Sequence, residues 1–204
     1  MNSKFQEFSG YILAGGKSSR MGRDKAFLDI AGRTFLDNAV RILKPVCEDR
    51  IKIVLSRSQT DLVPQLPGNV SHISDIHRGR GPMGGIHAAL TDCVSEYAFV
   101  LAVDQPFIIK KTIIDLAEFA VHSDSDVVVP RIEGSRLQPL CAVYRIETSL
   151  PVLKRLLTVP GESLSVLRFI ESLAKISYYE TKGRVSEFDN INEPKDYERV
   201  KKSF

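Results

Sequence analysis

The sequence predicts an α/β sandwich built on a mainly parallel sheet, on three observations. Strand-like and helix-like segments alternate along almost the whole chain. The run "YAFVLAVD" from Tyr97 to Asp104 is nearly all apolar, as expected of a strand buried on both faces of a parallel sheet. The chain has 204 residues, enough for one sizeable core and few for two. No repeat, low-complexity tract or linker divides it, so residues 1–204 are expected to form a single domain.

The elements follow in order. "FSGYILA" reads as a first strand, ending at the paired glycines Gly15 and Gly16. Thr34 to Leu43 reads as a helix with Phe35, Leu36, Ala39, Val40 and Leu43 on one face and Pro45 just past its end. "RIKIVLS" and "NVSHIS" are strands, and Ile86 to Val94 is a short helix after glycines. After "YAFVLAVD", Lys110 to Val121 is an amphipathic helix. "DVVVP" and "LQPLCAVY" flank the turn-rich "RIEGSR", which predicts a hairpin or an irregular excursion. Helices at about Ser149–Leu157 and Leu164–Ala174, the strand "ISYYE" and a helix after Pro194 complete the chain. In such folds ligands sit outside the carboxyl ends of the strands. That places Gly15–Lys25, Ser56, Asp75 and Asp104 at the ligand crevice, with the segment around 130–180 expected to hold a second substrate.

Composition sets limits. A net charge of +3 is too mild to indicate nucleic-acid binding through bulk electrostatics. Cys47, Cys93 and Cys141 are widely spaced, so buried free thiols are expected rather than a zinc site or disulfides. The four histidines His72, His77, His87 and His122 share no ligand spacing and read as structural or surface residues. The start "MNSKFQEFSG" lacks an apolar signal core, and no apolar run reaches the ~18 residues of a membrane span. A reduced, cytoplasmic setting without membrane or nucleic acid is therefore expected.

The chemistry concentrates in the loop after the first strand, where Lys17, Arg20, Arg23 and Lys25 fall within a short stretch. Cations so crowded repel one another unless they are solvated or face an anion. A P-loop would require glycine where Tyr11 stands. "GRGPMG" (79–84) is a literal G-x-G-x-x-G, but Pro82 removes an N–H where a pyrophosphate would need one. On its own terms the loop offers glycines for close backbone approach, Ser18 and Ser19 for phosphate oxygens, Arg20 for bidentate bonding and Lys25 as a point charge. A nucleoside triphosphate suits that many donors. Taken as bare residues, Asp104 could instead cap the turn into "QPFI", and Asp75 could serve a turn or a helix start.

Five segments in order carry a resemblance: "LAGGKSSRMGRDK", "GPMGG", "DQPF", "QPLCAVY" and "NINEP". They are similar to the motifs of the MobA-like nucleotidyltransferases. The resemblance implies a three-layer, Rossmann-like nucleotidyltransferase fold. It also implies Mg²⁺-dependent transfer of GMP from GTP to the terminal phosphate of molybdenum-molybdopterin cofactor, with release of pyrophosphate. By the same resemblance Leu13, Ala14, Gly15 and Gly16 would line the GTP, with Lys25 on phosphate and Asp75 in the nucleotide pocket. Asp104 would bind Mg²⁺, with Asn192 as a further candidate ligand and Asn190 nearby. Arg20, Lys25 and Asp104 are the expected catalytic residues. Gly16 favours GTP, because in the family the LAGG form of this motif goes with GTP and the LAAG form with CTP. Ser56 departs from the asparagine common in the family, and Glu193 from its threonine. Cytidylyl transfer to the same acceptor, sugar- or polyol-phosphate nucleotidylyl transfer, and a non-catalytic cofactor-binding role are the alternatives. Transient contacts with proteins that supply and receive the cofactor are also expected.

Overall fold

The computed structural model describes residues 7–15, 24–67, 70–75, 77, 79–158 and 165–201. Strand β1 (Phe8–Leu13) lies between β4 (Ile51–Ser56) and β6 (Tyr97–Ala102), parallel to both. Beyond β4 lies β5 (Ser71–Asp75), again parallel. Beyond β6 comes β9 (Cys141–Arg145), then β7 (Val127–Ile132) and β10 (Ile176–Glu180), giving the order β10-β7-β9-β6-β1-β4-β5. Strand β9 runs against both of its neighbours, so the sheet is parallel except for this strand and the short β8 (Arg136–Leu137). The expected hairpin is present: β8 folds back on β7, pairing Arg131 with Leu137. A separate two-stranded ribbon, β2 (Asp29–Ile30) with β3 (Arg33–Thr34), has no counterpart in the sequence reading. Its strands have two residues each, too short to show a period.

Alternating side chains divide the core in two. Phe8 and Ile12 of β1 and Phe99 and Leu101 of β6 join helices α1 (Phe35–Cys47) and α3 (Lys110–His122) on one face. Tyr11, Leu13, Ala98 and Val100 join α2 (Pro82–Asp92), α4 (Ile146–Thr158) and α5 (Val166–Glu171) on the other. Both faces of β1 and β6 are buried along their full length, as the apolar run of β6 requires.

The two largest helix-boundary differences from the sequence reading lie at the end of α1 and the start of α2. α1 does not stop before Pro45; it continues to Cys47. Proline removes one backbone bond, but Val46 and Cys47 are wholly buried beyond it, and that burial outweighs the lost bond. α2 starts at Pro82 rather than Ile86, because proline at the first helical position loses only an N–H that has no helical partner. Of the three cysteines, Cys47 and Cys141 are buried as expected, whereas Cys93 is half-buried. Among the described residues no helix is long and apolar enough to cross a membrane.

Candidate active site

The carboxyl ends of β1, β4, β5 and β6 open onto one side of the sheet, and most of the candidate residues cluster there. The Leu13 carbonyl accepts the Val103 N–H at 3.1 Å, and the Ala14 N–H reaches the Val54 carbonyl at 3.0 Å. These bonds carry the parallel ladder one step past its formal ends and hold the start of the basic loop level with Asp104. Gly16, Lys17, Ser18, Ser19, Arg20 and Arg23 lie outside the described residues.

At the far side of that loop, Asp24 caps a 3-10 turn, Lys25–Phe27, accepting the Ala26 N–H on Oδ1 at 3.0 Å. Ala26 is buried beneath the turn, so Lys25 leaves it from a fixed base. Its ammonium donates to Asn192 Oδ1 at 2.7 Å and lies 3.6 Å from Asp104 Oδ2. Asp104 follows β6, and its carbonyl accepts the Ile191 N–H at 3.0 Å. Ile191 and Phe188 are buried, which anchors the segment presenting Asn192. Further back, Arg184 donates to Thr112 Oγ1 at 3.0 Å and to Asp115 Oδ2 at 3.3 Å, fastening the same segment to α3. Three residues distant in sequence thus meet around one positive charge.

Electrostatics match this arrangement. Burial pushes the Asp104 carboxyl above its ordinary range, against the pull of the Lys25 ammonium and a backbone N–H. A cation beside it restores the ionised form. Asp104 and Asn192 both turn an oxygen toward the Lys25 ammonium, and oxygens of these two kinds are the hard donors that suit Mg²⁺. Among the described residues no group of three or more His, Cys, Asp or Glu could hold a metal. Sparse protein ligation is usual for Mg²⁺, which takes one or two carboxylates and fills its shell with water and substrate phosphates. The residues fit the ion. Asn190 is exposed on the other side of Ile191.

Asp75 ends β5 opposite Ser56 of β4. Its Oδ1 accepts the His77 N–H at 2.7 Å. A Cβ on Gly84 would stand 2.4 Å from Asp75 Oδ2, so the last glycine of "GRGPMG" makes room for a carboxylate against the first turn of α2. The His77 and His87 rings meet beside it, with Nε2 and Nδ1 3.2 Å apart.

One residue escaped the sequence reading. Gln59 is buried, and its Nε2 donates to the Ala14 carbonyl at 3.1 Å and to Asp24 Oδ2 at 2.7 Å. Those partners are the two ends of the basic loop, joined by a single amide. The Gln59 carbonyl accepts from the Ser56 backbone at 2.9 Å and the Ser56 hydroxyl at 2.8 Å. Ser56 therefore fixes Gln59. The spacing Ser56-x-x-Gln59 is a capping-box signature that could have revealed it. Gly15 lies in the same corner: a Cβ there would be 3.2 Å from the Ser56 nitrogen.

Comparison with known proteins identifies the family and supports the fold. A "Probable molybdenum cofactor guanylyltransferase" of Clostridium perfringens is 32% identical over 196 residues, covering 93% of this chain and 94% of its own. The molybdenum cofactor guanylyltransferase of Desulfosudis oleivorans is 39% identical over 138 residues, 67% of this chain and 64% of its own. The crystal structure of molybdopterin-guanine dinucleotide biosynthesis protein A from Archaeoglobus fulgidus superposes with a TM-score of 0.77 at 23% identity, covering 96% of this chain and 97% of that one. The model of the MobA-like NTP transferase domain matches residues 10–174, from β1 to the end of the α5 region. This chain belongs to the MobA-like NTP transferase family.

Proposed function

We propose that this protein transfers GMP from GTP to the terminal phosphate of molybdenum-molybdopterin cofactor, releasing pyrophosphate. The observation that carries the reading is the meeting of Lys25, Asp104 and Asn192 at the carboxyl ends of the parallel strands. The C. perfringens and D. oleivorans relatives, named as molybdenum cofactor guanylyltransferases, support the choice of substrates.

In the transfer, an oxygen of the acceptor phosphate attacks the α-phosphorus of GTP. The new P–O bond forms as the bond to the β-phosphate oxygen breaks, and pyrophosphate leaves with that electron pair. The attacking phosphate is already anionic at neutral pH, so no general base is required. The barrier lies in bringing two polyanions together, and the protein's task is positioning and charge neutralisation. Mg²⁺, held by Asp104 and Asn192, would supply Lewis-acid neutralisation of phosphate oxygens. Lys25 holds a positive charge beside Asp104 and takes up charge developing on the departing pyrophosphate, a role it shares with Arg20. Leu13, Ala14, Gly15 and Gly16 offer main chain to the nucleotide, and Asp75 lines its pocket. Gln59 keeps both ends of the phosphate loop in register.

The test is pyrophosphate release with GTP or CTP in the presence of Mg²⁺ and molybdenum cofactor. A clear preference for GTP is expected. Equal rates or a preference for CTP would overturn the guanylyl assignment, and no release with any nucleotide would leave a binding protein.

A further inference from the structure

Gln105 follows Asp104 directly and is only 3% exposed, and Gln138 is 8% exposed. Gln105 Nε2 donates to Gln138 Oε1 at 3.0 Å, while Gln105 Oε1 is buried without a hydrogen-bond partner. An amide's two ends differ only in donating or accepting, so turning either side chain over still leaves one polar atom of Gln105 unmatched. Buried polar groups are rarely left so. The nearest charges of the site, on Asp104 and Lys25, do not engage this pair through any described hydrogen bond.

Position gives the pair a meaning. β6 and β9 pair antiparallel with Leu101 opposite Cys141, a register that continued three steps sets Asp104 level with Gln138. Ala102 already bonds to Leu140 along this path, at 2.7 Å. The amide pair therefore stands at the reacting end of the sheet, on the side of β6 that faces β9. β1 flanks β6 on its other edge, and the Lys25 ammonium meets Asp104 at the end of β6. Attacking and leaving oxygens lie roughly in line during phosphoryl transfer. With the nucleotide held at the β1 edge of β6, as the proposed function has it, the β9 edge is left for the acceptor.

We infer that Gln105 and Gln138 bind the acceptor's heterocycle. The pair carries no charge, so it does not select a phosphate. It offers a carboxamide, which bonds in two-point fashion to a ring edge presenting an N–H next to an acceptor, as Asn and Gln do with adenine. A pterin has such edges. The inference rests on the reading of the acceptor as a molybdopterin, and it adds where the ring is recognised.

The experiment measures binding of metal-free molybdopterin by its pterin fluorescence, together with GTP binding and Tm, in the wild type and in Gln105→Met and Gln138→Met. Methionine keeps length and removes hydrogen bonding. We expect pterin affinity to fall tenfold or more in either variant with GTP affinity little changed, while a lower Tm reports the lost buried hydrogen bond. Unchanged pterin affinity in the variants that fold, or an equal loss of GTP binding, overturns the inference. So does a wild type that does not bind the pterin. Weakened pterin binding in variants of a wild type that releases no pyrophosphate upholds the inference and removes guanylyl transfer instead.

Discussion

Lys25 donates to Asn192 at 2.7 Å across a sequence separation of 167 residues. One end of that bond lies beside the first strand and the other in the segment after the last. The ammonium is also 3.6 Å from Asp104, with side chains 18% and 25% exposed, so this charge is the hub of the site. Lys25→Ala is expected to lower kcat by about 10²–10³, the usual cost of one donor at an oxyanion site. Asn192→Ala should cost less, because it removes a neutral partner and leaves both charges. Steady-state kinetics with GTP and acceptor give the order, and an Asn192→Ala defect larger than that of Lys25→Ala would refute it.

Metal removal tests Asp104 directly. Activity should vanish with EDTA and return with Mg²⁺. Asp104→Ala should fold, because it removes a carboxylate that burial already disfavours as an ion. Its turnover should fall by at least about 100-fold and resist rescue by added Mg²⁺. Near-normal turnover would take Asp104 out of the mechanism.

Gln59 offers a contrast between two substitutions. Gln59→Ala leaves the Ala14 carbonyl, the Asp24 carboxylate and the Ser56 N–H without their partner. A cost of about 1–3 kcal/mol is expected, read as a lower Tm, together with a raised KM for GTP as the loop ends part. Gln59→Glu keeps the shape but sets acceptors against acceptors and a charge against Asp24. It should weaken GTP binding more than alanine does, a ranking that isothermal titration can check.

The histidine pair predicts an acid dependence. Burial, then His77 and Lys154, lowers the His87 pKa, and Asp75 opposes them weakly. The folded state therefore binds a proton less readily than the unfolded chain, whose histidine titrates near ~6.5. Stability rises with pH where the unfolded state binds more protons, so it should decline as pH falls below that value toward the lowered folded pKa. His87→Gln should flatten this decline in Tm between about pH 7 and 5. Parallel profiles for the two proteins would assign the dependence to other groups.

The sequence reading succeeded where one physical cause acts over a continuous run. β6 was legible because burial on both faces requires an apolar stretch, and Asp104 stood out as the carboxylate at its end. Lys25 and Asn192 were each named, but nothing in local pattern says that they touch. Gln59 was missed because its work is done across space, 45 residues from Ala14 and 35 from Asp24. Pro45 misled because its local cost is visible in sequence, whereas the compensating burial of Val46 and Cys47 is tertiary. The role of Gly84 became readable only once Asp75 was placed against it.

The bond from Ile191 to the carbonyl of Asp104 has a consequence for the order in which the protein matures. Chains leave the ribosome with their earlier residues first and fold in part as they emerge. β1, β4, β5, β6, β7 and β9 are all made before residue 146, and β10 before residue 181. A nascent chain can thus hold a nearly complete sheet while Lys25 and Asp104 still face each other without Asn192. The candidate site is closed by a segment translated after every strand of the sheet, so the site matures later than the sheet that carries it.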